Sequence, residues 1–93
     1  MIVWDPIAPN EVLLSGINWV PRLSGDNIAT SVWSASTPAG LTVTPNTPGF
    51  IANTTLVIIS NAVLNVTYTI TNTITTTSGN TDIQTVQVTC APK

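Results

Sequence analysis

Six charged side chains serve the 93 residues of this chain: Asp5, Glu11, Arg22, Asp26, Asp82 and Lys93. Chemistry that needs ionisable groups has to come from these, because there is no histidine and a single cysteine, Cys90. Seven serines and seventeen threonines could act as nucleophiles, but they lack an imidazole base, and neither Arg22 nor Lys93 is placed to replace one. Glycoside hydrolysis needs two positioned carboxyl groups, whereas the four acids fall in the N-terminal segment and at turns. One thiol and no imidazole exclude an ordinary zinc site and an internal disulfide. Cys90 alternates with Val86 and Val88, so it reads as a small buried hydrophobe and not as a reactive thiol. Asp26 in Gly25-Asp26-Asn27 and Asp82 in Gly79-Asn80-Thr81-Asp82 could offer oxygens to calcium. That ion wants roughly six to eight of them, and Asx turns explain both stretches more simply. No enzyme and no cofactor is expected.

Binding chemistry is also restricted. Two basic residues cannot build the positive patch that a phosphate backbone requires, so nucleic acid is not an expected partner. Trp4 and Trp19 could stack on a sugar if exposed, but Trp19 and Trp33 read more simply as core residues, and all three tryptophans are available for the core of a small β sandwich. Arg22 is expected to pair with Asp26, Glu11 or Asp5, or, if exposed, to meet a partner's carboxylate. The longest apolar run, Leu56-Val57-Ile58-Ile59, has strand length and falls far short of the ~18 residues of a membrane span. Met1 to Pro9 has no basic cluster followed by an apolar run. The chain therefore reads as a soluble protein beginning at its own start codon. The sequons Asn53-Thr54-Thr55 and Asn65-Val66-Thr67 follow from abundant Asn and Thr.

The elements that must position these residues are strands. From Val66 to Thr76 the chain places Val66, Tyr68, Ile70 and Ile74 on one face and Thr67, Thr69, Thr71, Thr73 and Thr75 on the other. This is period 2 with β-branched residues on both faces. Asn72 interrupts the apolar face, so it belongs near the sheet margin or is bonded to backbone. Other expected strands are Val12 to Val20, with Gly16 as a bulge or kink, Ile28 to Ala35, and Leu41 to Thr44. In the second, Ala29, Ser31, Trp33 and Ala35 share one side. Pro21 with Ser24-Gly25-Asp26-Asn27 forms a turn and Pro45 to Gly49 a loop. Phe50-Ile51 starts a strand that continues past Asn53 into Thr54 to Ser60. Thr81 to Cys90 returns from the long strand as a hairpin, with Ile83 out of phase and hence a bulge. No helical periodicity competes. Six or seven strands at such spacing predict an all-β, Ig-like antiparallel β-sandwich, without the paired cysteines of a true immunoglobulin domain. Residues 1–10 form an extended N-terminal arm and residues 11–93 the single domain.

Between Asp26 and Asp82 lie 55 residues without a charge. Solitary β proteins protect strand edges with charge or proline, and Thr54–Ser60 and Val66–Thr77 have neither. Either a Thr/Asn-rich surface solvates the domain unaided, or neighbouring subunits cover it.

The stretch Gly25-Asp26-Asn27-Ile28-Ala29-Thr30-Ser31-Val32-Trp33 resembles a group of small tailed-bacteriophage virion proteins, as do Asp5-Pro6, Ile17-Asn18-Trp19 with Arg22-Leu23, and Pro38-Ala39-Gly40-Leu41-Thr42-Val43. Tyr68 to Thr76 with Ser78-Gly79 and Thr81-Asp82 extends the similarity over nearly the whole chain. The resemblance implies a fibre-like or decoration-like virion component made in the bacterial cytoplasm. The expected function is a capsid decoration or cement protein that joins major capsid subunits. The alternative is a tail or fibre module that binds host-surface glycans. Expected partners are the major capsid protein or other virion proteins, in multiple copies or as a homo-oligomer, with no membrane and no nucleic acid. Ile2, Trp4, Pro6 and Arg22 are the candidate partner-binding residues, the first three because a proline-stiffened arm can add to a neighbour's sheet.

Overall fold

A computed structural model describes residues 2–92. The chain runs β1 (Ile2–Val3), β2 (Leu13–Asn18), α1 (Val20–Leu23), β3 (Ile28–Trp33), β4 (Thr42–Ile51), β5 (Thr54–Ser60), β6 (Thr67–Thr76) and β7 (Thr81–Thr89). These strands form two sheets, β1-β7-β6-β3 and β2-β5-β4, so the expected all-β sandwich is the observed architecture. Lettered A to G in chain order, the sheets read A-G-F-C and B-E-D. Constant-type immunoglobulin sandwiches use A-B-E-D and C-F-G, so strand A here lies on the opposite sheet.

Strand β6 follows its sequence pattern: Tyr68, Ile70, Asn72, Ile74 and Thr76 are buried and the intervening threonines face outward. Its hairpin with β7 keeps one register from Thr67↔Thr89 to Thr75↔Thr81. Tyr68, Ile70, Ile74, Val86 and Val88 from this hairpin meet Val57 and Ile59 of β5 and Ile17 of β2 in the core.

Several local expectations are corrected. The sheets are not wholly antiparallel, because β1 runs parallel to β7 through Ile2↔Val86 and Val3↔Gln87; no hairpin links these strands, so nothing forces them to oppose. Ile83 makes no bulge: the register is continuous there and its side chain simply points outward. The bulge lies instead in β3, between Ile28 and Thr30, which turns Ala29 out of line with Ser31 and Trp33. Pro21 is the second residue of the helical turn α1 and does not sit in an open turn. Proline is tolerated there because the first amides of a helix have no internal acceptor. Thr42 to Ile51 is one strand whose pairing with β5 is interrupted between Pro45 and Phe50. Prolines cannot donate to a ladder, but β4 is an edge strand, where that loss is acceptable. The chain then reverses at Ala52 (φ 50°) and Asn53 (φ 64°), a two-residue hairpin with both central residues left-handed. Gly16 leaves the β2–β5 register unbroken. A Cβ there would stand 2.5 Å from Thr55 O, so glycine is needed for close backbone approach.

At the centre, Asn72 is fully buried and bonded, away from any sheet margin. Trp19 Nε1 donates to Asn72 Oδ1 at 2.9 Å and to Thr55 Oγ1 at 3.1 Å. The Thr55 hydroxyl donates to the same Oδ1 at 2.8 Å. Asn72 Nδ2 in turn donates to Ser31 Oγ at 2.9 Å and Val32 O at 3.1 Å. Immunoglobulin domains tie strands B and F with a disulfide. Here hydrogen bonds from Trp19, just past β2, to Asn72, in β6, join the two sheets.

Candidate docking surface

Among the described residues the ion pair is Arg22 with Asp82. Arg22 pairs with Asp82, Nε to Oδ2 at 3.1 Å and Nη2 to Oδ1 at 3.0 Å, and not with Asp26, Glu11 or Asp5. The chain turn at α1 carries the guanidinium to the start of β7, a proximity that sequence spacing does not reveal. The hydrogen bond from Arg22 holds the Asp82 carboxyl below the usual carboxylate range. Asp26 is likewise lowered, by the Thr76 hydroxyl first, then the Asn27 amide and the Thr77 and Ser78 hydroxyls. Glu11 Oε1 accepts the Ala8 amide at 3.1 Å. Cys90 is buried and free. Among the described residues no three acids, thiols or imidazoles gather as metal ligands do.

What the fold does assemble is surface. Residues opposed across a sheet share a face. The outer face of the four-stranded sheet therefore carries the rows Val32–Thr73–Ile83, Thr30–Thr75–Thr81 and Thr69–Gln87–Val3. No charged residue stands in these rows.

The three-stranded sheet is different. Ile58 lies between Leu14 and Thr44, and Leu56 lies beside Gly16, so Leu14, Ile58 and Leu56 form an apolar strip facing away from the core. Leu14 is 56% exposed, with the exposed Val12 just before it. Sequence reasoning missed this strip, although its signal was present. An unbroken run such as Leu56-Val57-Ile58-Ile59 is apolar on both faces of a strand, the pattern of a strand meant to be covered twice.

Of the anticipated arm residues, Trp4 borders the same region. Ile2 is half-buried and pairs with Val86, and Pro6 is exposed. Ile7 bridges to Cys90 and fastens the segment to the end of β7. Trp4 is half-buried and packs on Trp33, ring centres 5.9 Å apart and planes tilted by 47°. Trp4 and Asp5 then face Leu13, Leu14, Ser15 and Gly16 across an open cleft of about 280 Å³. Of the arm residues Trp4 lines the cleft, whereas Ile2 lies beside Val86 in the four-stranded sheet and Pro6 is not among the lining residues. Arg22 belongs to the separate pair with Asp82.

Comparison with known families matches residues 8–89 to the family described as podophage GP4 fiber-tail adaptor protein gp77. No curated protein and no solved structure matches the chain. The family description names a fibre–tail adaptor and not a capsid decoration protein, which corrects the expected cement role in favour of the tail alternative. It also removes the ground for naming the major capsid protein as partner. With most of its length matched, the chain is a tailed-phage virion structural protein and belongs to the podophage fiber-tail adaptor family.

Proposed function

We propose that this protein joins a fibre to the tail of a podophage particle. The family match over residues 8–89 carries the reading. The surface chemistry supports it. An adaptor must hold two partners at once, and a sandwich offers two outward faces separated by its core. Here the two faces differ, one threonine-rich and uncharged, the other apolar along Leu14, Ile58 and Leu56. Neither needs charge if neighbouring subunits cover it, which accounts for the long charge-free middle of the chain. The tryptophans support a scaffold over a glycan platform, since Trp19 is fully buried and Trp4 and Trp33 pack against the core.

The test is to produce particles lacking this chain and to image them. Filled heads with tails but no fibres, restored by adding the purified protein back, are expected. Particles with a full set of fibres would overturn the proposal.

A further inference from the structure

Strand β2 is the least protected edge of the sandwich. Of the four edge strands, β1 has two residues, β4 carries Pro45 and Pro48, and β3 is distorted by a bulge between Ile28 and Thr30. Each of these is a known way of discouraging a further strand. By contrast β2, Leu13–Asn18, has six residues, no charge, no proline and a continuous register with β5.

The direction of its free backbone groups follows from one bond. The Trp19 amide donates to Asn53 O at 3.0 Å, one step beyond the opposed pair Asn18↔Thr54. Antiparallel ladders alternate bonded and non-bonded pairs. Ile17, Ser15 and Leu13 therefore exchange hydrogen bonds with β5, while the N–H and C=O groups of Leu14 and Gly16 point away from it. Leu14 and Gly16 also line the cleft walled by Trp4 and Asp5.

We propose that β2 receives an added strand: an extended segment of a partner virion protein, apolar at alternate positions and carrying a Lys or Arg toward Asp5. This rests on the adaptor reading and specifies how one partner is held. A single occupant of this kind accounts for three features together. Its backbone satisfies Leu14 and Gly16, as in other strand additions. Its side chains on one face enter the cleft beside Trp4, and those on the other extend the apolar strip at Leu14 and Ile58. Charge selects the occupant. Asp5 stands at the cleft, and Arg22 is engaged by Asp82. A second copy of this chain adding there would bring another Asp5 to the same groove, whereas a cationic segment complements it.

The phage's purified fibre protein and its purified tail, each added separately, serve as probes, read by affinity and by amide hydrogen exchange. Binding of one of them should slow exchange at Leu14 and Gly16, with little change at Leu13, Ser15 and Ile17. Leu14→Pro removes an outward amide without touching the β5 ladder and should weaken that binding at least about tenfold. Leu14→Lys, a charge placed on the exposed edge, should do the same and covers the case in which the proline variant fails to fold. Binding with unchanged exchange at Leu14 and Gly16, and with full affinity of the lysine variant, would sink the strand addition while leaving the adaptor reading intact. Binding of neither probe to the wild-type protein would remove both. Protection of Leu14 and Gly16 that rises with the concentration of this protein alone would assign the edge to a second copy and overturn the proposal.

Discussion

Asn72 accepts hydrogen bonds from Trp19 and Thr55 and donates to Ser31 and Val32, so removing its side chain leaves several buried polar groups short of a partner. Buried groups left in this way are penalised more than an average hydrogen bond is worth. Asn72→Ala is expected to cost about 2–4 kcal/mol, lowering the melting temperature by roughly 10–25 °C for a domain of this size. Thr73→Val, one residue along and facing outward, should stay within about 0.5 kcal/mol. Urea denaturation of the two variants checks both values. The pH dependence also belongs to single residues. The hydrogen bonds that Asp26 and Asp82 accept hold both carboxyls below the ordinary carboxylate value. Their contribution is therefore present above that value and is lost as pH falls through the folded pKa. Melting temperature should be level from pH 5 to 8, where the absence of histidine leaves little to titrate, and should decline below about pH 4. Asp82→Asn should make that acid decline shallower, and an unchanged decline would show that the Arg22 pair adds nothing.

Elements were legible where one periodicity governs both faces, and obscure where a partner strand decides. The β6–β7 hairpin could be read because Val66 to Thr76 alternates cleanly and Ser78-Gly79-Asn80 marks its turn. Thr42–Ile51 could not, because Pro45 and Pro48 signal a loop and only the edge position of β4 makes them acceptable. For Ile83, an exposed apolar residue on the outer, threonine-bearing face imitates a phase shift. The cleft was half legible: the proline-rich arm drew attention to Trp4 and Pro6, while its opposite wall on β2 depends on the docking of two sheets. Gly16 shows the same limit, since its reason is Thr55 O, distant in sequence and 2.5 Å from where a Cβ would lie. Gly16→Ala must push β2 away from β5 and should cost about 1–3 kcal/mol. Gly25→Ala meets nothing within 4 Å and suffers only from its φ of +88°, about 1–2 kcal/mol. Calorimetry of the pair separates steric from conformational loss. A stability of Gly16→Ala equal to wild type would mean that the sheet yields at no expense.

At the scale of the whole molecule, the proposed adaptor role places function on faces and not in a site. Among the described residues Arg22 and Asp82 form an ion pair, and the outward rows of both sheets carry no charge. If the two faces serve two partners, damage to one should spare the other. Ile83, 55% exposed on the threonine face, and Leu14, 56% exposed on the apolar strip, allow this to be tried without disturbing the core. Ile83→Lys and Leu14→Lys should each fold with near-native stability, as exposed substitutions do. A buried unpaired ammonium in an interface is strongly unfavourable, so each variant should lose affinity for one partner, fibre or tail, by at least about tenfold and keep the other. Pairwise binding to purified fibre protein and purified tail reads the outcome directly. Loss of both partners by either variant would mean that the two binding surfaces overlap. Loss of neither would mean that these faces are solvated surface, with threonine doing at the boundary with water what charge does in most proteins.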